Sequence, residues 1–170
     1  MNWVTVLICG LIVIGTFLAW EFVAWFTHKY VMHGFLWIWH RSHHTVHDHT
    51  LERNDWFAVV FSVPSIALFY YGSVTSYNPY LIAVGLGIFC YGIFYLVFHD
   101  VIVHQRIKWR PKKRSKYLQR MINAHYVHHQ KHTKEGGEAF GFLYAPKKYA
   151  RPQTSKSKLQ TTRTEESPQD

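Results

Sequence analysis

Cysteine is scarce in this chain of 170 residues: only Cys9 and Cys90 occur, both inside apolar runs, and no CxxC pair exists. That excludes a disulfide scaffold, a zinc knuckle and a thiolate-held iron–sulfur cluster. A thiol in such a run acts as a small hydrophobe. The paired ExxH motifs of soluble carboxylate-bridged di-iron bundles are missing as well. No flavin, haem or nucleotide-binding motif is present. Charge is also absent from much of the chain. Sixteen of the nineteen Lys and Arg lie from Arg106 onward, although the formal net charge is +9. Such asymmetry fits either a membrane protein with one basic aqueous face or a nucleic-acid binder carrying an apolar domain.

The apolar runs decide for the membrane and against nucleic acid. Trp3–Phe26 holds a single charge, Glu21, and is long enough to cross about 30 Å of hydrocarbon as a helix. Residues 56–72 and 80–98 are uncharged and near the lower limit for a span. The first run lacks the basic flank of a secretory signal and is too long for its apolar region, so it is expected to stay as a transmembrane helix. Lys29, Arg41 and Arg53 lie between the first two runs, and the basic remainder follows the third. The N-terminal segment and the connection at residues 73–79 have no Lys or Arg. Positive residues mark the cytoplasmic side, which puts the N-terminus outside and the C-terminus inside. All thirteen histidines then fall on the cytoplasmic face.

Ten of those histidines form a repeated pattern. His28 and His33 make HxxxxH, and His40, His43 and His44 make HxxHH. The same order returns with His99 and His104, then His125, His128 and His129. Residues three and four apart share a helix face, so HxxHH presents imidazoles in one direction. Residues five apart sit about 140° round a straight α-helix. The members of HxxxxH therefore serve different metals, or the helix is distorted where it emerges. Ten nitrogens suit two ions with about five each. Imidazole without thiolate favours redox iron over structural zinc. His47, His49 and His132 fall outside the pattern and are expected to be dispensable. Asp100, Asn123, Asn54, Asp55 and Glu138 are available to orient ligands from behind, and Asp100 is expected to orient its neighbour.

The segments HKYVMHGFLWIWHRSHH (28–44), NDWFAVVF (54–61), HDVIVHQR (99–106), AHYVHH (124–129) and FGFLYAP (140–146) resemble those of the bacterial β-carotene hydroxylases, within the membrane fatty-acid-hydroxylase superfamily. The resemblance covers nearly all of residues 1–150. Gly137–Glu138–Ala139 departs from the family pattern ahead of FGFLYAP. It implies an all-α integral-membrane bundle of three to four transmembrane helices under a cytoplasmic histidine-rich cap. It also implies a non-haem di-iron monooxygenase in the inner membrane, with all ten patterned histidines as metal ligands. The reaction implied is hydroxylation of the β-ionone rings of β-carotene at C3 and C3′, through β-cryptoxanthin to zeaxanthin. O₂ would be the co-substrate, and electrons would come from ferredoxin, its reductase and NAD(P)H. Alternatives on the same site are a carotenoid ketolase, a ring 2-hydroxylase and a fatty-acyl hydroxylase.

Trp25, Phe26, Tyr30, Phe35, Trp37 and Trp39 flank the first motifs and either line the route for a membrane-dissolved carotenoid or form an interfacial aromatic belt. The cluster Lys112, Lys113, Arg114, Lys116 and Arg120 suits anionic lipid or an acidic electron-transfer protein. Residues 151–170 are dominated by Thr, Ser, Gln, Lys and Glu and are expected to form a disordered tail.

Overall fold

A computed structural model describes residues 1–45, 51–109 and 114–151. Among these residues every regular element is helical. Helix α1 (Trp3–Phe26) starts at Asn2, whose side chain accepts from the Thr5 backbone N–H at 2.8 Å. It continues without a break into a π-helical segment, Thr27–Phe35, that ends at a kink at Gly34. The continuous stretch Trp3–Phe35 has 33 residues, which is roughly 50 Å at an α-helical rise, against about 30 Å of hydrocarbon. The stretch is therefore several turns longer than an upright crossing needs, and its last turns carry His28 and His33. Leu7, Leu11, Ile14, Leu18 and Phe22 form an exposed apolar stripe along α1. A helix apolar all round with an exposed stripe of this kind faces lipid.

Short helix α2 (Trp37–His40) runs into a 3₁₀ turn, Arg41–His44. Helix α3 (Trp56–Tyr70) and helix α4 (Pro79–Tyr95) form a hairpin, and α4 ends in a second π-helical segment, Leu96–Val103. At the turn between them Asn78 caps α4 by accepting from Tyr80 N–H at 2.9 Å, and Pro79 supplies a first residue that needs no partner for its nitrogen. Three helices are long and apolar enough to cross a membrane, namely Trp3–Phe35, Arg53–Thr75 and Pro79–Val103. These match the three apolar runs of the sequence.

Helix α4 lies between the other two because two glycines open opposite sides of it. A Cβ on Gly87 would come within 2.6 Å of Thr16 Cβ and 2.8 Å of Val13 O in α1. One on Gly85 would meet Ser65 O and Leu68 Cβ of α3 at 3.2 Å, and Ser65 Oγ donates to Gly85 O at 2.9 Å. Small residues that let backbones approach are the usual glue of membrane helices.

Helix α5 (Lys116–His129) is amphipathic and lies across the ends of the spans. Met121, Ala124 and Val127 on its inner face pack with Phe98, Phe142, Ala145 and Tyr149. His47, His49, Lys112, Lys113 and residues 152–170 lie outside the described residues.

Candidate metal centre

The ten patterned histidines gather into two groups of five at one end of the bundle. His28, His33, His40, His44 and His128 form the first site, and His43, His99, His104, His125 and His129 the second. Within each site, one nitrogen from every ring lies within 4.8 Å of all the others. The division does not follow the chain: the first motif pair lends His43 to the second site, and the second pair lends His128 to the first. HxxHH thus faces both sites at once from α2 and its 3₁₀ turn, and again from α5.

HxxxxH works differently. Each copy lies at a π-helical segment, Thr27–Phe35 or Leu96–Val103, the second ending one residue before His104. Wider turns place residues five apart on one side, so His28 and His33 share the first site while His99 and His104 share the second. Of the two readings of the spacing, the geometry fits distortion of the helix, because both rings of each HxxxxH lie in one cluster.

In the first site the outer ring nitrogens are held without exception. His28 Nδ1–H donates to Phe140 O at 2.9 Å, His33 to Lys134 O at 3.2 Å, His44 to Lys131 O at 2.8 Å and His128 to Glu138 O at 2.9 Å. His40 Nδ1 lies 2.7 Å from Asn54 Oδ1. A carbonyl oxygen can only accept, so the proton sits on Nδ1 and Nε2 presents a lone pair. Those lone pairs point at one another: His28 and His44 Nε2 each lie 3.1 Å from His40 Nε2, and His33 Nε2 lies 3.2 Å from His128 Nε2.

The second site repeats this at two of its five rings, while His125 Nδ1 is buried with no hydrogen-bond partner. His43 and His99 donate from Nδ1 to Glu52 Oε2 and Asp100 Oδ1, both at 3.0 Å, and their Nε2 atoms are 2.8 Å apart. His104 and His125 Nε2 approach to 3.1 Å, and His129 Nε2 is buried with no hydrogen-bond partner. Facing lone pairs repel unless a cation lies between them, so the donor set fits one metal ion per site. Protonation would not relieve the clash. Burial lowers His40 to about 3 and both His44 and His104 to about 4. Burial likewise holds His43, His125, His128 and His129 below the usual histidine range, with neighbouring rings adding to it. Neutral imidazole with a supported Nδ1–H is the form that binds metal.

The family model for fatty acid hydroxylases matches residues 13–145 of this chain. The chain belongs to the fatty acid hydroxylase family. Among curated relatives it is 43% identical over 137 residues to a "Beta-carotene hydroxylase" of Paracoccus sp. (strain N81106 / MBIC 01143), covering 80% of this chain and 83% of that protein. It is 47% identical over 137 residues to a "Beta-carotene hydroxylase" of Pantoea ananas, covering 81% and 77%. A "Beta-carotene 3-hydroxylase 2, chloroplastic" of Arabidopsis thaliana is 36% identical over 139 residues, 79% of this chain and 44% of that protein. No solved structure matches the chain.

Beneath this hydroxylase's histidines lies an apolar cavity of about 450 Å³, bounded by α1, α3 and α4. His28, His40 and His99 reach it, so both sites border the same space. Its walls include Phe57, Phe61, Phe69, Phe89, Tyr95 and Phe142. None of the six aromatics expected from the sequence lines it. Trp25 and Tyr30 flank the Lys29 ammonium at 5.1 and 4.9 Å, Phe26 and Phe35 are exposed, Trp39 packs on Phe57, and Trp37 packs on His33. Their neighbours Ala24, His28, Met32 and His40 do line it, together with α3 and α4, so the six lie on other sides of the same segments.

Of the expected supporting residues, Asp100 and Asn54 touch patterned histidines directly, and Glu138 does so through its backbone carbonyl. Asp55 instead binds Arg106, and Asn123 donates to Tyr149 O at 2.9 Å. Sequence reasoning missed Glu52, which lies nine positions from its partner His43. It also missed the carbonyl acceptors, which no side-chain pattern can reveal. His132 reaches no metal site but donates to His44 O at 2.7 Å. Glu21, the one charge in α1, accepts from the Phe142 and Leu143 N–H groups at 2.8 and 2.9 Å and from Tyr91 OH at 2.6 Å. It fastens the FGFLYAP segment, whose Phe140 and Phe142 rings cover His28, onto the transmembrane helices.

Proposed function

We propose that the ten histidines hold two iron ions and that the protein is a membrane β-carotene 3-hydroxylase. The observation that carries this reading is the apolar cavity bordered by both histidine sites in a chain so similar to proteins named β-carotene hydroxylase. The reaction replaces one ring C–H by C–OH at C3 and then at C3′, giving β-cryptoxanthin and then zeaxanthin. Each turnover consumes one O₂, two electrons and two protons; one oxygen atom enters the product and the other leaves as water. Iron, when bound, supplies the O₂ activation that an inert C–H bond demands. Ferredoxin, reduced by its reductase and NAD(P)H, supplies the electrons.

The chain's own residues then position and protect. Apolar side chains of α3 and α4 receive one end of a substrate that has almost no polarity and stays in the bilayer. A volume of about 450 Å³ is in the usual range for a ligand pocket. Tyr95 stacks on His99 with ring centres 4.6 Å apart, and Phe142 stacks on His28 at 5.6 Å. These rings keep water from the side of the imidazoles that faces substrate. Outer hydrogen bonds from Nδ1 fix seven of the ten rings, His28, His33, His40, His43, His44, His99 and His128, so that their Nε2 atoms need no reorientation.

The distribution of positive residues supports a histidine end on the cytoplasmic face of the inner membrane, with the N-terminus outside. Residues 1–150 form the enzymatic domain, and 151–170 a tail without a catalytic part. Expression in a host that accumulates β-carotene tests the reading. A new diol supports it; a ketone or an unchanged carotenoid pool with an altered fatty-acyl profile overturns it in favour of a sister activity.

A further inference from the structure

The two sites differ in what stands behind their ligands. Every outer acceptor of the first site is neutral: four backbone carbonyls and the Asn54 amide. In the second site two ligands, His43 and His99, donate to carboxylates, Glu52 and Asp100. Glu52 is nearly buried, with its side chain 8% exposed. Arg106 binds Glu52 Oε1 at 2.9 Å and Asp55 Oδ1 at 2.8 Å, and lies 3.8 Å from Asp100 Oδ1. Among the described residues three carboxylates thus meet at Arg106 behind the second site, and no carboxylate accepts from a histidine of the first.

A carboxylate behind an imidazole raises the basicity of the coordinating nitrogen, and its charge attracts a cation directly. Taking the ten histidines as ligands of two ions, we propose that the second site, backed by Glu52 and Asp100, binds its ion more tightly than the first. Glu52 and Asp100 are then positioning residues that set an order of loading, and Arg106 locks both carboxylates in register.

The full-length iron-loaded protein in detergent, challenged with rising concentrations of an iron chelator, tests this with retained iron counted by mass spectrometry. The expected curve has two steps of one ion each, separated by about 10–100-fold in chelator concentration. In a Glu52→Gln, Asp100→Asn double variant the later step moves toward the earlier, because the acceptors persist while the charge is gone. Asn54→Asp moves the earlier step toward the later. Two ions that leave the unaltered protein together overturn the inference while leaving the di-iron reading intact. So does a double variant that keeps the full separation. A preparation that binds no more than one metal ion per chain overturns the di-iron reading, and this inference falls with it.

Discussion

The backbone N–H of His104 donates to the carbonyl of His99 at 2.9 Å, a five-residue hydrogen bond that lays one candidate ligand over the other. An α-helix at this point would carry His104 round to another side, away from the second site. The π turn is therefore what turns HxxxxH into a chelating pair, and π segments inside α-helices often mark functional sites. The same device brings His28 and His33 together at the end of α1.

Grouping by site rather than by motif makes a prediction that cuts across the sequence. His43→Ala should lower metal content in the same way as His99→Ala, and His128→Ala in the same way as His28→Ala. Under a gentle chelator wash each variant keeps close to one ion per chain. Turnover should fall further than the roughly 10–100-fold expected from losing an outer partner. Metal analysis of the four single variants beside the His43→Ala, His128→Ala double variant checks the grouping. The double variant should hold almost no metal, whereas His43→Ala, His99→Ala should still keep one ion.

Much of this was legible in the sequence because hydropathy and histidine are strong signals. The three spans, the helical class and the ten histidines follow from runs of uncharged residues and from a motif that occurs twice, whereas the helices run on past the apolar runs to Phe35, Thr75 and Val103. What stayed hidden depends on folding back. Glu52 meets His43 across nine positions, a spacing that no helical periodicity pairs, and Glu21 meets Phe142 across 121 positions. The crossing of His43 and His128 between sites is likewise invisible, since HxxHH reads the same whichever ion each ring serves. Glu21 stood out as the lone charge in a span, which signals a special role, but its partners are backbone amides that no residue pattern announces.

Acid should weaken the metal-free protein. In the folded chain burial holds His40 near 3 and His44 and His104 near 4, whereas unfolded they titrate near the usual value of about 6.5. Between those limits the unfolded state binds more protons, so stability rises with pH there. Each such histidine adds a slope of up to about 1.4 kcal/mol per pH unit. Thermal unfolding of the apo-protein followed from pH 7.5 down to 4.5 should show the midpoint falling steadily below about 6.5. A flat profile would mean that the rings are already solvated.

Glu21 should behave as a latch rather than as a ligand. Glu21→Ala leaves two backbone N–H groups and the Tyr91 hydroxyl without their acceptor, at about 1–3 kcal/mol for each buried donor. Glu21→Gln is milder because one oxygen remains, yet its amide turns a donor toward donors. Tyr91→Phe removes a single bond, worth about 1 kcal/mol. Melting in detergent should follow Glu21→Ala, then Glu21→Gln, then Tyr91→Phe, in order of decreasing loss. Proteolysis near residues 139–146 should rise in the same order. Equal melting of all three variants would show that the segment is held by its apolar packing alone.

Two glycines five residues apart on α4 should answer oppositely to enlargement. Gly92 borders the cavity, and a Cβ there meets nothing within 4 Å. Gly92→Ala removes the flexibility of a mid-helix glycine, which is worth up to about 1 kcal/mol of helix stability, and takes little volume. Gly92→Leu projects a branched side chain into space proposed for substrate. It should bind metal and melt like the parent while its hydroxylation of carotene falls steeply. Gly87 faces α1 instead, where a Cβ would sit 2.6 Å from Thr16 Cβ and 2.8 Å from Val13 O. Backbone cannot yield as a flexible side-chain tip can, so Gly87→Leu should push α1 away from α4, lowering the melting point and metal content along with activity. Measuring melting, metal and product for both variants separates a filled cavity from a broken helix pair. If Gly92→Leu keeps full turnover, the cavity beneath the histidines is not where the substrate ring lies.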